Sequence, residues 1–170
     1  MRFEKVTYQQ YASTSDKPMG KELLDEYTNI KLPKRATAKS AGYDFFAPQS
    51  FILNPGETIK IPSGIRVMLD DDKVLMLYPR SGLGFKYRLQ LDNTTGVVDA
   101  DYSGSDNEGH IFFKITNDGR EGRPVCISEG EAFAQGIIMQ YFVTEDDDST
   151  AIRNGGFGST SEPYGGNVHD

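Results

Sequence analysis

The chain has 170 residues, a formal net charge of -7 and 37% hydrophobic residues. This size and apolar content suit one globular domain with a real core, and the negative charge argues against a protein that coats nucleic acid or acidic membranes. The single cysteine, Cys126, excludes an internal disulfide. Because no apolar run approaches the roughly 20 residues of a membrane span or follows a basic start, we expect a soluble, cytoplasmic protein.

Short β segments separated by turn residues dominate the chain. Alternating apolar residues and β-branched or aromatic side chains predict strands at 29–32, 42–47, 57–62, 64–69, 73–79, 110–117 and 131–142. The segments NPGE, DDD and NDGREGRP supply turns between these strands. One short helix is predicted at KELLDEY, residues 21–27, within a polar N-terminal stretch.

Seven or more short strands without alternating long helices predict an all-β fold. A sandwich, a distorted antiparallel β-barrel and a jelly roll all satisfy this pattern, with one short helix added. We divide the chain into an N-terminal extension at 1–28, a β domain at 29–144, and an acidic linker with a flexible glycine-rich C-terminal arm at 145–170.

The segment GVVDADYSG, residues 96–104, places Asp99, Asp101 and Tyr102 directly after two valines that look like a strand. A carboxylate on stiff backbone is well suited to hold and deprotonate a water molecule. Asp, Ser and Gly are also turn formers, so a surface turn is the competing interpretation. The segment alone leaves both open.

The segment YPRSGLGFK, residues 78–86, follows a buried-looking strand with Arg80, Ser81, Gly82 and Lys86. Backbone N–H groups at a helix start, with nearby basic side chains, predict a phosphate site. Alternatively, Ser81 merely caps a short helix and the basic side chains are solvated.

The segment RNGGFGSTS, residues 153–161, surrounds Phe157 with glycines and with possible phosphate donors. Glycine-rich backbone becomes ordered only when something else holds it, which is the behaviour of a lid. A disordered tail with an incidental phenylalanine is the alternative.

Five segments together resemble the trimeric, all-β deoxyuridine triphosphate pyrophosphatase (dUTPase) family. In chain order they are SAGYDFFAP (40–48), PRSGLGFK (79–86), GVVDADYSG (96–104), GEAFAQG (130–136) and RNGGFGSTS (153–161). Five motifs in the right order and at compatible spacing are hard to obtain by chance. The resemblance covers roughly residues 30 to 161 and implies hydrolysis of dUTP to dUMP and pyrophosphate.

The resemblance also implies a role for each motif residue. Asp99 is the general base for a water that attacks the α-phosphorus, and the ring of Tyr102 packs under the deoxyribose and excludes a 2′-hydroxyl. The segment DNTTG, which independently predicts a hairpin turn, pairs with uracil through Asn93 and main-chain groups. The predicted substrate contacts are Arg80, Ser81, Gly82, Asn93, Gly96, Val98, Tyr102, Gln135, Arg153, Phe157, Gly158, Ser159 and Thr160.

By the same resemblance, Asp44 holds Mg²⁺ through water while the phosphate oxygens chelate the ion. The residues of the fifth motif close as a lid, with Phe157 on the uracil and Arg153, Ser159 and Thr160 on the distal phosphates. In this family three subunits share each active site, so a homotrimer is expected.

Two departures from the family pattern and two alternative functions accompany this interpretation. One residue fewer than usual separates Arg153 from Phe157, and Ser161 stands where the family has glycine. The segments 1–28 and 105–110 exceed the usual form and are interpreted as surface additions. A nucleotide-binding regulatory protein that binds a partner through them is one alternative. The other is dCTP deaminase, which shares the fold but needs a glutamate where this chain has Lys114.

Overall fold

The computed structural model describes residues 1–151. Its strands are β1 (Arg2–Lys5), β2 (Lys34–Arg35), β3 (Tyr43–Phe46), β4 (Phe51–Leu53), β5 (Thr58–Pro62), β6 (Ile65–Met68), β7 (Lys73–Pro79), β8 (Leu89–Leu91), β9 (Gly96–Val98), β10 (Phe112–Asn117), β11 (Val125–Ile127) and β12 (Ala132–Gln140). The helices are α1 (Tyr8–Ala12), α2 (Lys21–Asn29) and α3 (Ser81–Tyr87), with a 3-10 helix at Ala100–Gly104. The predicted all-β class is confirmed.

Six of the seven predicted strands form, and one prediction is wrong. The segment 29–32 is not a strand, because Asn29 ends α2 and Ile30 is its C-terminal cap. Leu23, Glu26 and Ile30 are buried at helical spacing, so Ile30 continues the buried face of the helix. The predicted helix at 21–27 is confirmed and runs two residues further.

The strands form four antiparallel sheets within residues 1–151 and do not close into one barrel. The largest has the order β2-β3-β12-β7-β9, and a second has the order β5-β10-β8. The pairs β1-β6 and β4-β11 complete the arrangement. Strand β12 is central to the largest sheet because it pairs with β3 on one side and with β7 on the other.

Aromatic rings fill the space between the sheets. Phe113 lies 5.0 Å from both Phe45 and Phe133, measured between ring centroids, in edge-to-face contacts. All three rings are buried. Burial of such a side chain contributes about 2 kcal/mol each, with a further gain of about 1 kcal/mol for each well-placed ring pair. This cluster ties β3, β10 and β12 together and fixes the ends of the strands that carry the candidate site.

The N-terminal segment is built into the same core. Strand β1 pairs with β6 from Arg2 opposite Met68 to Lys5 opposite Ile65. Tyr11 and Leu23 are fully buried. The Tyr11 hydroxyl donates to the buried carboxylate of Glu26. The segment therefore closes the free edge of β6 and covers one side of the core.

No helix among residues 1–151 is long and apolar enough to span a membrane. Cys126, on β11, is exposed.

His110 is a fully buried titratable group between the N-terminal segment and β10. Its Nε2 accepts a hydrogen bond from the Gly64 backbone N–H at 2.9 Å, and its Nδ1 is buried without a hydrogen-bond partner in the described chain. An imidazole that accepts at Nε2 is neutral and carries its proton on Nδ1. Burial lowers the pKa of His110 to about 4, with Glu108 acting against the shift and Lys60 reinforcing it.

We expect His110 to make the folded protein less stable as the pH falls from 6.5 to about 4. In this window the unfolded chain binds a proton at this side chain and the native chain does not, so the free energy of unfolding decreases, by about 3 kcal/mol in total. Urea unfolding of the wild type and of His110→Gln at several pH values measures this. Glutamine can still accept from Gly64 but does not titrate, so the free energy of unfolding of the variant should change less with pH. An equal pH dependence in both proteins would contradict the role given to His110.

Candidate active site

Four predicted site residues meet at one end of the five-stranded sheet. Asp44 lies opposite Gln135 across β3 and β12, and Gln135 lies opposite Tyr78 across β12 and β7. Arg80 and Ser81 follow the end of β7 directly. The Gln135 amide donates to the Pro79 carbonyl at 3.1 Å, which fixes the side chain beside the start of α3. We call this group the β7-end cluster: Asp44, Arg80, Ser81 and Gln135.

Three residues of the β7-end cluster line an open cleft, and the fourth, Asp44, forms an ion pair with Arg80. Arg80, Ser81 and Gln135 border a cavity of about 500 Å³. Arg80 Nε lies 3.2 Å from Asp44 Oδ1, so the guanidinium and the carboxylate each have an oppositely charged neighbour. Arg80 is 42% exposed and Asp44 17% exposed. The planar guanidinium carries five donors, so it can bind a phosphate oxygen while still facing Asp44.

The structure excludes Ser81 as the N-cap of α3. Arg80, not Ser81, is the N-cap of α3, and within the described chain no side chain caps this end by a hydrogen bond. Ser81 is the first helical residue and Gly82 the second. The Ser81 hydroxyl is therefore not used as a helix cap and lines the cleft beside Arg80.

A second group of predicted residues surrounds the turn between β8 and β9. Asn93, Gly96 and Val98 line a cavity of about 300 Å³. A side chain at Gly96 would be crowded, because a Cβ there would lie 3.0 Å from the Leu77 side chain. We call this the turn cavity.

The predicted turn at DNTTG forms, but its flanking strands belong to different sheets. Strand β8 pairs with β10, whereas β9 pairs with β7. The Thr94 N–H donates to the Leu91 carbonyl at 2.9 Å, and Thr94 has a positive φ of 61°. Strand β9 is thus the edge of its sheet. An edge strand presents backbone N–H and C=O groups along its outer side, which are suited to binding a planar polar ligand.

Asp99 stands at the end of β9 and is the N-cap residue of the 3-10 helix. It lines a broad cavity of about 690 Å³ together with Val74, Met76, Val97 and Asp101. The backbone does turn here, as the simpler interpretation of GVVDADYSG required, since the Tyr102 N–H donates to the Asp99 carbonyl at 3.2 Å. The turn also places Asp99 on a concave surface.

Tyr102 lies on the 3-10 helix with only 5% of its surface exposed. Its hydroxyl donates to the His110 carbonyl at 2.9 Å and accepts from the Asn107 amide at 2.8 Å. Sequence reasoning missed Asn107, which stands in the segment interpreted as a surface addition. The sequence NEGH has no pattern that identifies a hydrogen bond back to a tyrosine five residues earlier.

The two halves of the predicted site lie at opposite ends of β7. Val98 pairs with Leu75, so Asp99 follows at the Lys73 end of the strand, whereas Arg80 follows Pro79. Six residues separate Leu75 from Ser81, which at the usual rise of a strand is roughly 20 Å. One chain therefore does not bring Asp99 to the β7-end cluster. The predicted lid residues, Arg153, Phe157, Gly158, Ser159 and Thr160, lie outside the described residues.

A family model for dUTPase matches residues 28–161, most of the chain. The chain belongs to the dUTPase family. It is 40% identical over 146 residues to the deoxyuridine 5′-triphosphate nucleotidohydrolase of Lactococcus lactis subsp. lactis, with 83% of this chain and 96% of the relative covered. The corresponding protein of Chromobacterium violaceum is 36% identical over 147 residues, with 82% and 93% covered.

Solved dUTPase structures have the same fold. The dUTPase of Streptococcus mutans superposes with a TM-score of 0.64 at 31% identity, covering 85% of this chain and 99% of that one. A point mutant of the dUTPase from Staphylococcus aureus phage phi11, in which a structural Mg(II) ion is coordinated, has a TM-score of 0.58 at 24% identity, with 72% and 92% covered. At that identity the second likeness establishes the fold only.

Proposed function

We propose that this protein is a dUTP diphosphatase that converts dUTP and water to dUMP and pyrophosphate. Relatives 34–40% identical carry the name deoxyuridine 5′-triphosphate nucleotidohydrolase. The observation that carries the proposal is the placement of Asp99 at the end of β9, with the turn cavity along that strand and an open cavity beside the carboxylate. The proposed uracil pocket and the proposed general base, Asp99, therefore lie along the same edge strand, β9.

The turn cavity is the proposed uracil pocket. Its lining combines Asn93 with the backbone of Gly96 and Val98 on the edge strand, so main-chain donors and acceptors can pair with the base. Cytosine reverses a donor and an acceptor, and each buried polar group left unpaired costs about 1–3 kcal/mol.

The β7-end cluster is the proposed triphosphate site. Arg80 supplies charge, and Ser81 and Gln135 supply hydrogen-bond donors at the cleft. The backbone N–H of Gly82, in the first turn of α3, is proposed as a further donor. The residues fit Mg²⁺ held mainly by substrate. Within residues 1–151 no three metal-ligating side chains cluster, and a single carboxylate, Asp44, lies beside Arg80 next to the cleft, which suits an ion that keeps its waters. Bound Mg²⁺ would neutralise phosphate charge.

Asp99 is the proposed general base. Its carboxylate takes a proton from a water molecule as the water oxygen attacks the α-phosphorus, and the bond from that phosphorus to the bridging oxygen breaks. Pyrophosphate leaves with the bridging oxygen, and the proton passes from Asp99 to solvent.

Tyr102 is proposed to pack under the deoxyribose. Phe157 is proposed to cover the uracil, with Arg153, Gly158, Ser159 and Thr160 at the phosphates.

A homotrimer with shared sites is the proposed assembly. The roughly 20 Å between Asp99 and the β7-end cluster exceeds the reach of one triphosphate, so a complete site needs residues from two copies of the chain. The outer face of the sheet beside Asp99 is apolar, with Val97 53% exposed and Met139 47% exposed. A neighbouring subunit would cover these side chains.

The position of Lys114 argues against the dCTP deaminase alternative. Its Nζ lies 2.9 Å from Asp92 Oδ2 at the start of the turn. The pKa of Asp92 is held below its usual value by the hydrogen bond from Thr116 and then by Lys114. Lys114 therefore stabilises the turn and cannot act as the carboxylic acid that deamination of cytosine requires.

Steady-state hydrolysis of dUTP, dTTP, UTP and dCTP, with and without Mg²⁺, tests the proposed function. We expect kcat/KM for dUTP to exceed each of the other values by at least about 100-fold, because each competitor adds a group or reverses a hydrogen bond. Removing Mg²⁺ with EDTA should lower the rate for dUTP. Ammonia release from dCTP, or equal hydrolysis of all four nucleotides, would contradict the proposal.

A further inference from the structure

The two segments that exceed the usual family form contact each other. Glu108, in the segment 105–110, accepts hydrogen bonds from the backbone N–H of Thr7 at 2.8 Å and from its hydroxyl at 2.6 Å. Thr7 is the N-cap of α1. The carboxylate therefore accepts from both donors of Thr7. This contact joins two parts of the chain that are 101 residues apart in sequence.

The same segment packs tightly on the 3-10 helix that follows Asp99. Glu108 and Gly109 both have positive φ, at 58° and 72°. A Cβ on Gly109 would lie 2.7 Å from the Ser103 Cα and 2.9 Å from the Tyr102 carbonyl oxygen. A left-handed conformation is unfavourable for a residue such as glutamate, whose Cβ crowds the following carbonyl. At Glu108 this conformation brings the segment 105–110 against Tyr102.

Asn107 connects this segment to the Tyr102 hydroxyl. Its amide donates to that hydroxyl at 2.8 Å, while its carbonyl oxygen accepts from the Gly109 N–H at 3.1 Å. The Tyr102 hydroxyl donates in turn to the His110 carbonyl at 2.9 Å. These two partners of the hydroxyl both belong to the segment 105–110, and they fix the far end of the ring.

The N-terminal segment also holds this loop at a second point, two residues after Glu108. His110 accepts from the Gly64 N–H at 2.9 Å, and the Gly64 carbonyl accepts from the Val6 N–H at 3.0 Å. The loop is therefore attached to the N-terminal segment at Glu108 and, through Gly64, near His110. Tyr102 is held by a loop that is itself attached at two points, Glu108 and His110.

We propose that Asn107 and Glu108 are positioning residues that fix the ring of Tyr102 and thereby set the preference for deoxyribonucleoside over ribonucleoside triphosphates. Asn107 acts on the hydroxyl directly, and Glu108 acts by joining the loop to Thr7. The inference rests on the proposed function, in which this ring lies under the sugar. A ring that excludes one extra oxygen by its volume must be held in place, because a shift of about 1 Å changes rates by up to about 100-fold.

The test measures kcat/KM for dUTP and for UTP in the full chain. Asn107→Ala should lower the dUTP:UTP ratio at least about tenfold, since the ring loses a direct bond and can move away from a 2′-hydroxyl. Glu108→Ala should lower it at least about threefold, and Glu108→Gln, which keeps one acceptor for Thr7, should restore most of the loss. The matched control is Tyr27→Phe, which removes the 2.7 Å bond from the Tyr27 hydroxyl to the Val6 carbonyl in the same N-terminal segment.

Thermal unfolding of each variant distinguishes positioning from stability. A ratio within about twofold of wild type in both Asn107→Ala and Glu108→Ala, with a lowered unfolding midpoint, would overturn the inference. An equal fall of the ratio in Tyr27→Phe would overturn it as well. If Asn107→Ala does not fold, the Glu108 pair gives the result alone. If the proposed function itself is wrong, the wild type will not hydrolyse dUTP selectively. This outcome differs from failure of the inference, in which the wild type is selective and the variants are equally so.

Discussion

Replacing Asp99 by asparagine is expected to lower kcat for dUTP at least about 1,000-fold, with binding of dUTP retained. The amide has the same shape as the carboxylate but does not accept a proton from water. Asp99 follows β9 as the N-cap of the 3-10 helix, and its side chain makes no capping hydrogen bond there, so we expect the substitution to leave the backbone turn unchanged. Single-turnover hydrolysis measures the chemical step, and calorimetric titration with a non-hydrolysable dUTP analogue measures binding.

Asp101→Asn is the matched control for this variant. Asp101 stands two residues away and lines the same cavity, so the two variants carry the same change of charge in the same surroundings. We expect its kcat to stay within about threefold of wild type. A reversed result, with Asp101→Asn inactive and Asp99→Asn active, would refute the assignment of the base.

Mixed assemblies of two inactive variants are expected to recover activity. Asp99→Asn lacks the base and Ser81→Ala lacks a donor in the β7-end cluster, so each pure assembly is defective. If each site takes Asp99 from one subunit and Ser81 from another, random mixing leaves about a quarter of the sites fully wild type. Co-refolding equal amounts of the two chains and measuring dUTP hydrolysis tests this. Recovery is expected because Asp99 and Ser81 lie at opposite ends of β7, roughly 20 Å apart along the strand direction.

The control mixes Asp99→Asn with a chain that carries both substitutions. No subunit then supplies a wild-type Asp99, so activity should stay at the level of Asp99→Asn alone. If the first mixture also shows no recovery while an affinity tag on one chain co-purifies the other, the two half-sites must meet within one chain and the shared-site proposal is wrong.

The sequence predicts the longer strands well and the short ones poorly. Strands β7, β10 and β12 have enough residues to show alternation, and all three were predicted. Strands β4, β8 and β11 have three residues each, which is too short for a period of two to be recognised. The mistaken strand at 29–32 has a related cause, because the single buried residue Ile30 fits a helical face as well as a strand.

Motifs in the sequence indicate which residues form the site but not how they are grouped. The order of GVVDADYSG after PRSGLGFK does not reveal that Asp99 and Ser81 lie at opposite ends of β7, since this follows from the pairing of Val98 with Leu75. The ion pair of Arg80 with Asp44 likewise depends on strand register. The contact of Asn107 with Tyr102 needs a loop with two positive φ angles, which no local pattern predicted.

The central position of β12 has a consequence for how the chain folds during synthesis. This strand spans Ala132–Gln140 and pairs with both β3 and β7, so the largest sheet lacks its middle until nearly all of the β domain has been translated. Nascent chains that end earlier leave one edge of β3 and one edge of β7 without a partner strand, which makes them targets for chaperones and proteases. Ribosome stalling before residue 132 would therefore yield degradation products and no partly assembled enzyme.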